Sequence, residues 1–369
     1  MKIGTTPLIA ENIAPSNASR LAIFNGKTKV GTVAISKMQP TNLGGMMYSF
    51  GLLSDIHLSG NNSLTATKFN NALAYFKQEK VSFCCSCGDM TDTGFWYPIS
   101  ETDGTSYYST AQFDEYRRIL KENDMTMYSN CGNHESYNGY DISKTYTDVY
   151  GADPSIVVDN PTKLQEYTGN GLTFTVTHGN DVFVFVGQST QTLPMTVEHL
   201  QWLYETLEAN RNKRCFVFVH SYVSSLDSGN PLGLHSLPLF SYWGATNTKA
   251  FTDMMAHYKN TVLFHGHSHV HFETQQQVSN AIYSEALGFR SVHVPSSANG
   301  RKIINGALGP KDTAYSLGYL VEVYKNHIVL KGYDFVGSAE VPMAQYCIDT
   351  TLQTIAPNTF VDSTGTIIT

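Results

Sequence analysis

Five short stretches of the sequence carry residue types that bind divalent cations: Asp55-Ile56-His57, Gly88-Asp89, Gly132-Asn133-His134-Glu135, His220 and Gly266-His267-Ser268-His269. Together they offer carboxylates, imidazoles and one amide oxygen. That mixture suits hard and borderline ions such as manganese, iron or zinc, rather than the soft ions that thiolate sites select. Each fragment has a bland reading when taken singly. Asp-x-His recurs by chance, Gly-Asp is an ordinary turn, and a histidine at a strand end is usually just a satisfied polar residue. What sets these apart is their order, and that all five follow apolar, strand-like runs.

Those runs must be the elements that position the chemistry. Ser49 to Leu53 leads into Asp55, Val81 to Cys87 into Asp89, and Met125 to Cys131 into Asn133. Between them, Thr65 to Glu79 has helical spacing, with Phe69, Leu73 and Phe76 on one face, and Gln112 to Lys121 reads as a second helix. Strands alternating with helices predict an α/β fold with mostly parallel strands. In such sheets the functional crevice lies at the carboxyl ends of the strands, so separate strand ends can converge on one point. The second half is richer in strands. Leu172 to Val176 and Val182 to Gly187 flank a hairpin turn, Cys215 to Val219 runs into His220, and Thr261 to Phe264 runs into Gly266-His267. Helices are expected over Val197 to Asn210 and Phe251 to Tyr258, and a hairpin over Gly318 to Gly332. Residues 1–45 differ in pattern. Two apolar runs around Asn25-Gly26 predict a small N-terminal β appendage. Residues 46–350 then form the catalytic domain, and 351–369 read as a Thr-rich tail.

Composition narrows the function classes. The chain of 369 residues is 41% hydrophobic and carries a formal net charge of -7. That is enough apolar material for a large core, and the absence of basic runs argues against a nucleic-acid partner. The six cysteines follow neither a disulfide framework nor a zinc-knuckle spacing and are expected as buried free thiols. The start of the sequence has no secretory pattern, and no apolar stretch reaches the roughly 18 residues of a membrane span. The expected protein is soluble, and cytoplasmic or virion-associated.

The ordered series Asp-x-His, Gly-Asp, Gly-Asn-His-Glu, His and Gly-His-x-His, across residues 48 to 335, resembles the calcineurin-like metallophosphoesterase superfamily. Within it, Gly88-Asp89-Met90-Thr91-Asp92-Thr93-Gly94 resembles the second motif of the class III cyclic-nucleotide and glycerophosphodiester phosphodiesterases. Glu135 stands where many relatives have Asp. The resemblance implies a four-layer α/β/β/α sandwich of two mixed sheets. It also implies two divalent ions (Mn, Fe or Zn) sharing a bridging hydroxide that attacks phosphorus. On this likeness Asp55, His57 and His269 hold the first metal, and Asn133, His220 and His267 the second. Asp89 bridges both, and His134 is the catalytic residue at the leaving group.

Substrate choice falls to the loops after the ligand strands. Thr93 to Ser109 and Ser221 to Trp243 are long and aromatic-rich, and neither contains an Arg that could clamp a terminal phosphate. A phosphodiester is therefore the favoured substrate, either a small molecule or a cell-envelope polymer, with a phosphomonoester as the alternative. A reading from another class is a binding or structural component, with residues 1–45 serving a virion or surface assembly. The complete set of ligand residue types favours an enzyme over that reading.

Overall fold

A computed structural model describes residues 20–25, 28–34, 43–59, 63–92, 99–100, 106–107, 111–135, 173–188, 195–221, 244–277, 281–285, 287–305, 307–361 and 367–368. The arrangement follows from strands that are apolar on both sides. Asp181–Val186 (DVFVFV) and Cys215–Val219 (CFVFV) are buried at every position. Their phenylalanines (Phe183, Phe185, Phe216, Phe218) and their valines (Val182, Val184, Val186, Val217, Val219) fall into two different core clusters. Successive strand residues point to opposite faces, so this sheet must be covered on both sides.

The first sheet contains β1 (Tyr48–Leu53), β2 (Phe83–Ser86) and β3 (Met127–Ser129), paired in parallel. The second contains β4 (Phe174–His178), β5 (Asp181–Val186), β6 (Cys215–Val219), β7 (Thr261–His265), β8 (Tyr283–Ser284) and β9 (Arg290–His293). Its spatial order is β8-β9-β7-β6-β5-β4, with β5, β6, β7 and β9 parallel. Three further strands, β10 (Leu317–Val323), β11 (His327–Asp334) and β12 (Ala339–Asp349), complete the first sheet by antiparallel pairing in the order β12-β11-β10-β1-β2-β3. The two mixed sheets share an aromatic core. Phe50 of β1 stacks on Phe83 at 5.8 Å and meets Phe183 and Phe216 edge-on, at 5.3 and 5.7 Å.

Helix α1 (Leu64–Gln78) buries Phe69, Ala72, Leu73 and Phe76, and Ser63 caps it by accepting the Ala66 amide at 3.1 Å. It is joined by α2 (Ala111–Asn123), whose Tyr116 stacks on Phe69 at 5.5 Å. Helices α3 (Val197–Ala209) and α4 (Gly244–His257) cover the valine face of the second sheet through Leu200, Leu203, Leu207, Phe251 and Met254. The two mixed sheets and the helices packed on them are the α/β architecture expected from the sequence.

Other features were less legible. Strand β12, eleven residues long, was not foreseen. It is a half-exposed edge strand containing Pro342, with no clean alternation to reveal it. Residues 351–361, read from the sequence as tail, lie along α3 and α4. Tyr204 donates to the Asn358 carbonyl at 3.0 Å, Asn260 exchanges hydrogen bonds with Gln353 at 2.7 and 2.8 Å, and Ile355 and Phe360 are buried. The strands Arg20–Asn25 and Thr28–Ala34 pair antiparallel, from Arg20 opposite Ala34 to Asn25 opposite Thr28. All six cysteines are free, and five are buried.

Candidate metal centre

Every motif sits just past the carboxyl end of a parallel strand, and backbone bonds hold the strand ends in register. The Asp55 amide donates to the Gly88 carbonyl at 3.1 Å, His57 to Asp89 at 3.0 Å, and Gly266 to His220 at 3.0 Å. Two glycines are required by close approach. A Cβ on Gly132 would lie 2.1 Å from Asp89 Oδ1, and one on Gly266 would lie 1.9 Å from Ser54 Oγ. Asp55, His57, Asp89, His267 and His269 all adopt positive φ, between 47° and 74°. Left-handed backbone costs an L-residue about 1–2 kcal/mol. Its concentration at these five residues marks strain stored at a functional site.

The side chains singled out in the sequence lie close together. Asp55, His57, Asp89 and His269 form one group able to hold a metal ion, and Asp89, His220 and His267 form another. Asp89 belongs to both. Its Oδ2 lies 3.1 Å from His220 Nε2 and 3.7 Å from His57 Nε2. Asp55 Oδ1 lies 3.1 Å from His269 Nε2. Asn133 joins through Oδ1, 3.0 Å from His220 Nε2, and His267 Nδ1 is 3.2 Å from that same nitrogen. His134 lies at the edge of both groups. Its ring meets His57 edge-on at 4.4 Å, and its Nε2 is 3.8 Å from Asp89 Oδ2.

The donor set fits cations. His220 Nδ1 is 2.9 Å from the Cys87 carbonyl, and His269 Nδ1 is 3.2 Å from the Asn299 carbonyl. A carbonyl only accepts, so both Nδ1 atoms carry protons and both Nε2 atoms turn lone pairs inward. His269 Nε2 then faces His57 Nε2 at 3.0 Å and the Asp55 carboxylate, and His220 Nε2 faces Asn133 Oδ1 and Asp89. Acceptors facing acceptors in a buried pocket need a positive charge between them. The electrostatics agree. Burial works against the charged form of His220, but Asp89, Asp55 and Glu135 outweigh it and push the ring up to about 9, so that without an ion a second proton, on Nε2, supplies the positive charge among these acceptors. Burial would likewise raise Asp55 and Asp89, yet the surrounding imidazoles hold both carboxylates well below their usual range. His57, which burial drives down to about 4, is neutral.

Some of the site was not foreseen. Glu135, noted in the sequence only as a variant, is wholly buried. Its Oε2 accepts the amides of Asp89 (3.1 Å) and Gly132 (2.8 Å), and its Oε1 accepts the Thr91 amide (2.9 Å) and hydroxyl (3.1 Å). Asp92 places a carboxylate oxygen 3.3 Å from His57 Nδ1, and its carbonyl accepts from His134 Nδ1. The aromatic loops proposed to choose the substrate fall almost wholly outside the described residues.

Fold and site together define an α/β protein with histidine–aspartate clusters able to bind metal. The model of the calcineurin-like phosphoesterase family matches residues 48–271, and the chain belongs to that family. Among solved structures, it resembles a dimetal phosphatase from Danio rerio at 15% identity and a TM-score of 0.53, over 83% of this chain and 100% of that one. A purple acid phosphatase from yellow lupin (Lupinus luteus) seeds superposes with a TM-score of 0.51 at 12% identity, over 84% of this chain and 55% of that one. At these identities the likeness is one of fold. No curated protein matches the chain in a sequence search. No helix among the described residues is long and apolar enough to cross a membrane.

Proposed function

We propose that the chain hydrolyses phosphate diesters with two divalent ions, manganese, iron or zinc. Asp55, His57 and His269 would hold one, Asn133, His220 and His267 the other, and Asp89 would lie between them. The observation that carries this reading is the Asp89 carboxylate, common to two groups of inward-facing acceptors. When bound, such a pair of ions supplies Lewis acidity toward phosphoryl oxygens and eases the ionisation of water.

The chain's own residues account for the rest. His134 is one-fifth exposed, so its ring can reach a bound ester. The Asp92 carbonyl accepts a hydrogen bond from Nδ1–H, which leaves Nε2 for the ester; in the imidazolium form the Nε2–H donates its proton to the leaving oxygen, and the ring is left neutral with its proton on Nδ1. The Asp89 carboxylate fixes the His134 backbone through Oδ1 at 3.0 Å. Gly132 and Gly266 let the ligand loops close to contact distance. The diester preference rests on the two substrate loops, which contain neither Lys nor Arg to neutralise a dianionic monoester. Residues 1–45 are proposed as a separate appendage that would tether the enzyme to an assembly.

The test is hydrolysis of bis-p-nitrophenyl phosphate against p-nitrophenyl phosphate by protein stripped of metal and reloaded with Mn, Fe or Zn. Metal-dependent turnover that favours the diester is expected. Preference for the monoester replaces the diesterase reading with a phosphatase. Absence of turnover in protein that has bound two ions refutes the enzyme.

A further inference from the structure

Beyond the last motif the chain passes through β9 into residues 294–301 (VPSSANGR), and this segment joins the first motif to the fifth. Ser296 is wholly buried. Its hydroxyl donates to the Asp55 carbonyl at 2.9 Å and accepts the amides of Ala298 and Asn299 at 3.1 and 3.0 Å. The Ser297 amide donates to Ser54 at 3.0 Å, and the Arg301 amide to the His269 carbonyl at 2.8 Å. From behind, Lys68 of α1 donates to the Ala298 carbonyl, and the Ser316 hydroxyl donates to Ser297 at 2.7 Å.

Within this clamped loop the Asn299 side chain meets His269. Its Oδ1 lies 2.8 Å from His269 Nδ1, inside the 3.2 Å from the same nitrogen to the Asn299 carbonyl. The carbonyl requires a proton on Nδ1, and that proton in turn orients the Asn299 amide with its oxygen toward the ring.

We propose that Asn299 is a positioning residue for the ion held by Asp55, His57 and His269. Its side-chain oxygen fixes the His269 tautomer and ring plane so that Nε2 faces that ion. This rests on the two-ion reading of the site. Partners of this kind behind a ligating histidine typically change metal affinity by about 10–100-fold. The low end applies here, because the backbone carbonyl at 3.2 Å survives side-chain removal.

The experiment is a calorimetric titration of the metal-free, full-length protein with Zn or Mn, comparing wild type, Asn299→Ala and Asn299→Asp. Wild type is expected to bind two ions. Asn299→Ala should bind one of them about 10-fold more weakly and the other unchanged. Asn299→Asp, which keeps the acceptor, should bind the affected ion at least as tightly as wild type. Metal-free melting temperatures should stay close together, since the backbone amide of residue 299 still donates to the Ser296 hydroxyl in both variants. Wild-type affinity for both ions in Asn299→Ala overturns the assignment. So does equal weakening in Ala and Asp, which would mean that the asparagine only shapes the loop. A wild type that binds fewer than two ions overturns the two-ion reading itself, and this inference with it.

Discussion

Glu135 ties the second and third motifs together, and its removal should cost stability before it costs chemistry. In Glu135→Ala the amides of Asp89, Thr91 and Gly132 all lose their acceptor at a position with no solvent access. A buried donor left unpaired costs about 1–3 kcal/mol. Some of that is returned, because burial and the Asp89 charge already disfavour the ionised Glu135 and push its carboxyl above the usual range. The expected net loss is about 3–5 kcal/mol, or roughly 6–10 °C in Tm at about 2 °C per kcal/mol for a domain of this size. Glu135→Gln separates hydrogen bonding from packing. Its oxygen can keep the Asp89 and Gly132 amides if its NH2 turns to Thr91, where the hydroxyl can rotate to accept and only the Thr91 amide is stranded. That costs about 1–2 kcal/mol. Thermal unfolding of metal-free protein reads both without interference from ion binding. A middle value for Gln, between wild type and Ala, supports the clamp. Glu135→Ala within about 0.5 kcal/mol of wild type, the range of ordinary surface substitutions, refutes it.

Asp89→Ala should lose ions from both groups, whereas His134→Ala should keep two ions and lose turnover by about 10²–10⁴-fold; metal analysis beside a rate measurement decides. Replacing His267, whose φ is 74°, deletes the same ring in Gly and Ala variants, but only Ala keeps the left-handed penalty. The metal-free Gly variant should therefore be more stable by about 1 kcal/mol, and equal denaturation midpoints would remove strain from the account of the site. At the amino ends of the strands, Arg214 donates to Asp181, to the Tyr324 carbonyl (2.7 Å) and to Thr350 Oγ1 (3.0 Å), while Tyr48 donates to Asp181 at 2.6 Å. Arg214→Ala strands a buried carboxylate and should cost about 3–5 kcal/mol, with two ions still bound after refolding; loss of metal in a stable variant would contradict the separation of these two regions.

What the sequence showed of this site, and what it hid, divide along physical lines. Asp55, Asp89, Asn133, His220 and His267 were legible because each follows a run buried on both faces, and such runs announce their own ends. The partners behind them were not. Asn299 sits in Val-Pro-Ser-Ser-Ala-Asn-Gly-Arg, which has the composition of any turn, and its meaning comes from a hydrogen bond to a residue 30 positions earlier. Asp92 looked like the tail of a motif, yet it serves His57 through its side chain and His134 through its carbonyl. Strand β12 was hidden for a related reason: an edge strand half in water needs no alternation to be stable when its neighbour β11 supplies the register. Periodicity reports burial against a layer, so it finds the elements that build the two sheets. It does not report single contacts across the cleft, and those decide which nitrogen of each imidazole faces an ion. The strained backbone at five ligand residues belongs to the same class. Asp and His enter the left-handed region more readily than most L-residues, yet φ near 50° still costs them energy, and the surrounding lattice of Gly88, Asp89, Ser54 and Ser296 holds Asp55 and His57 there.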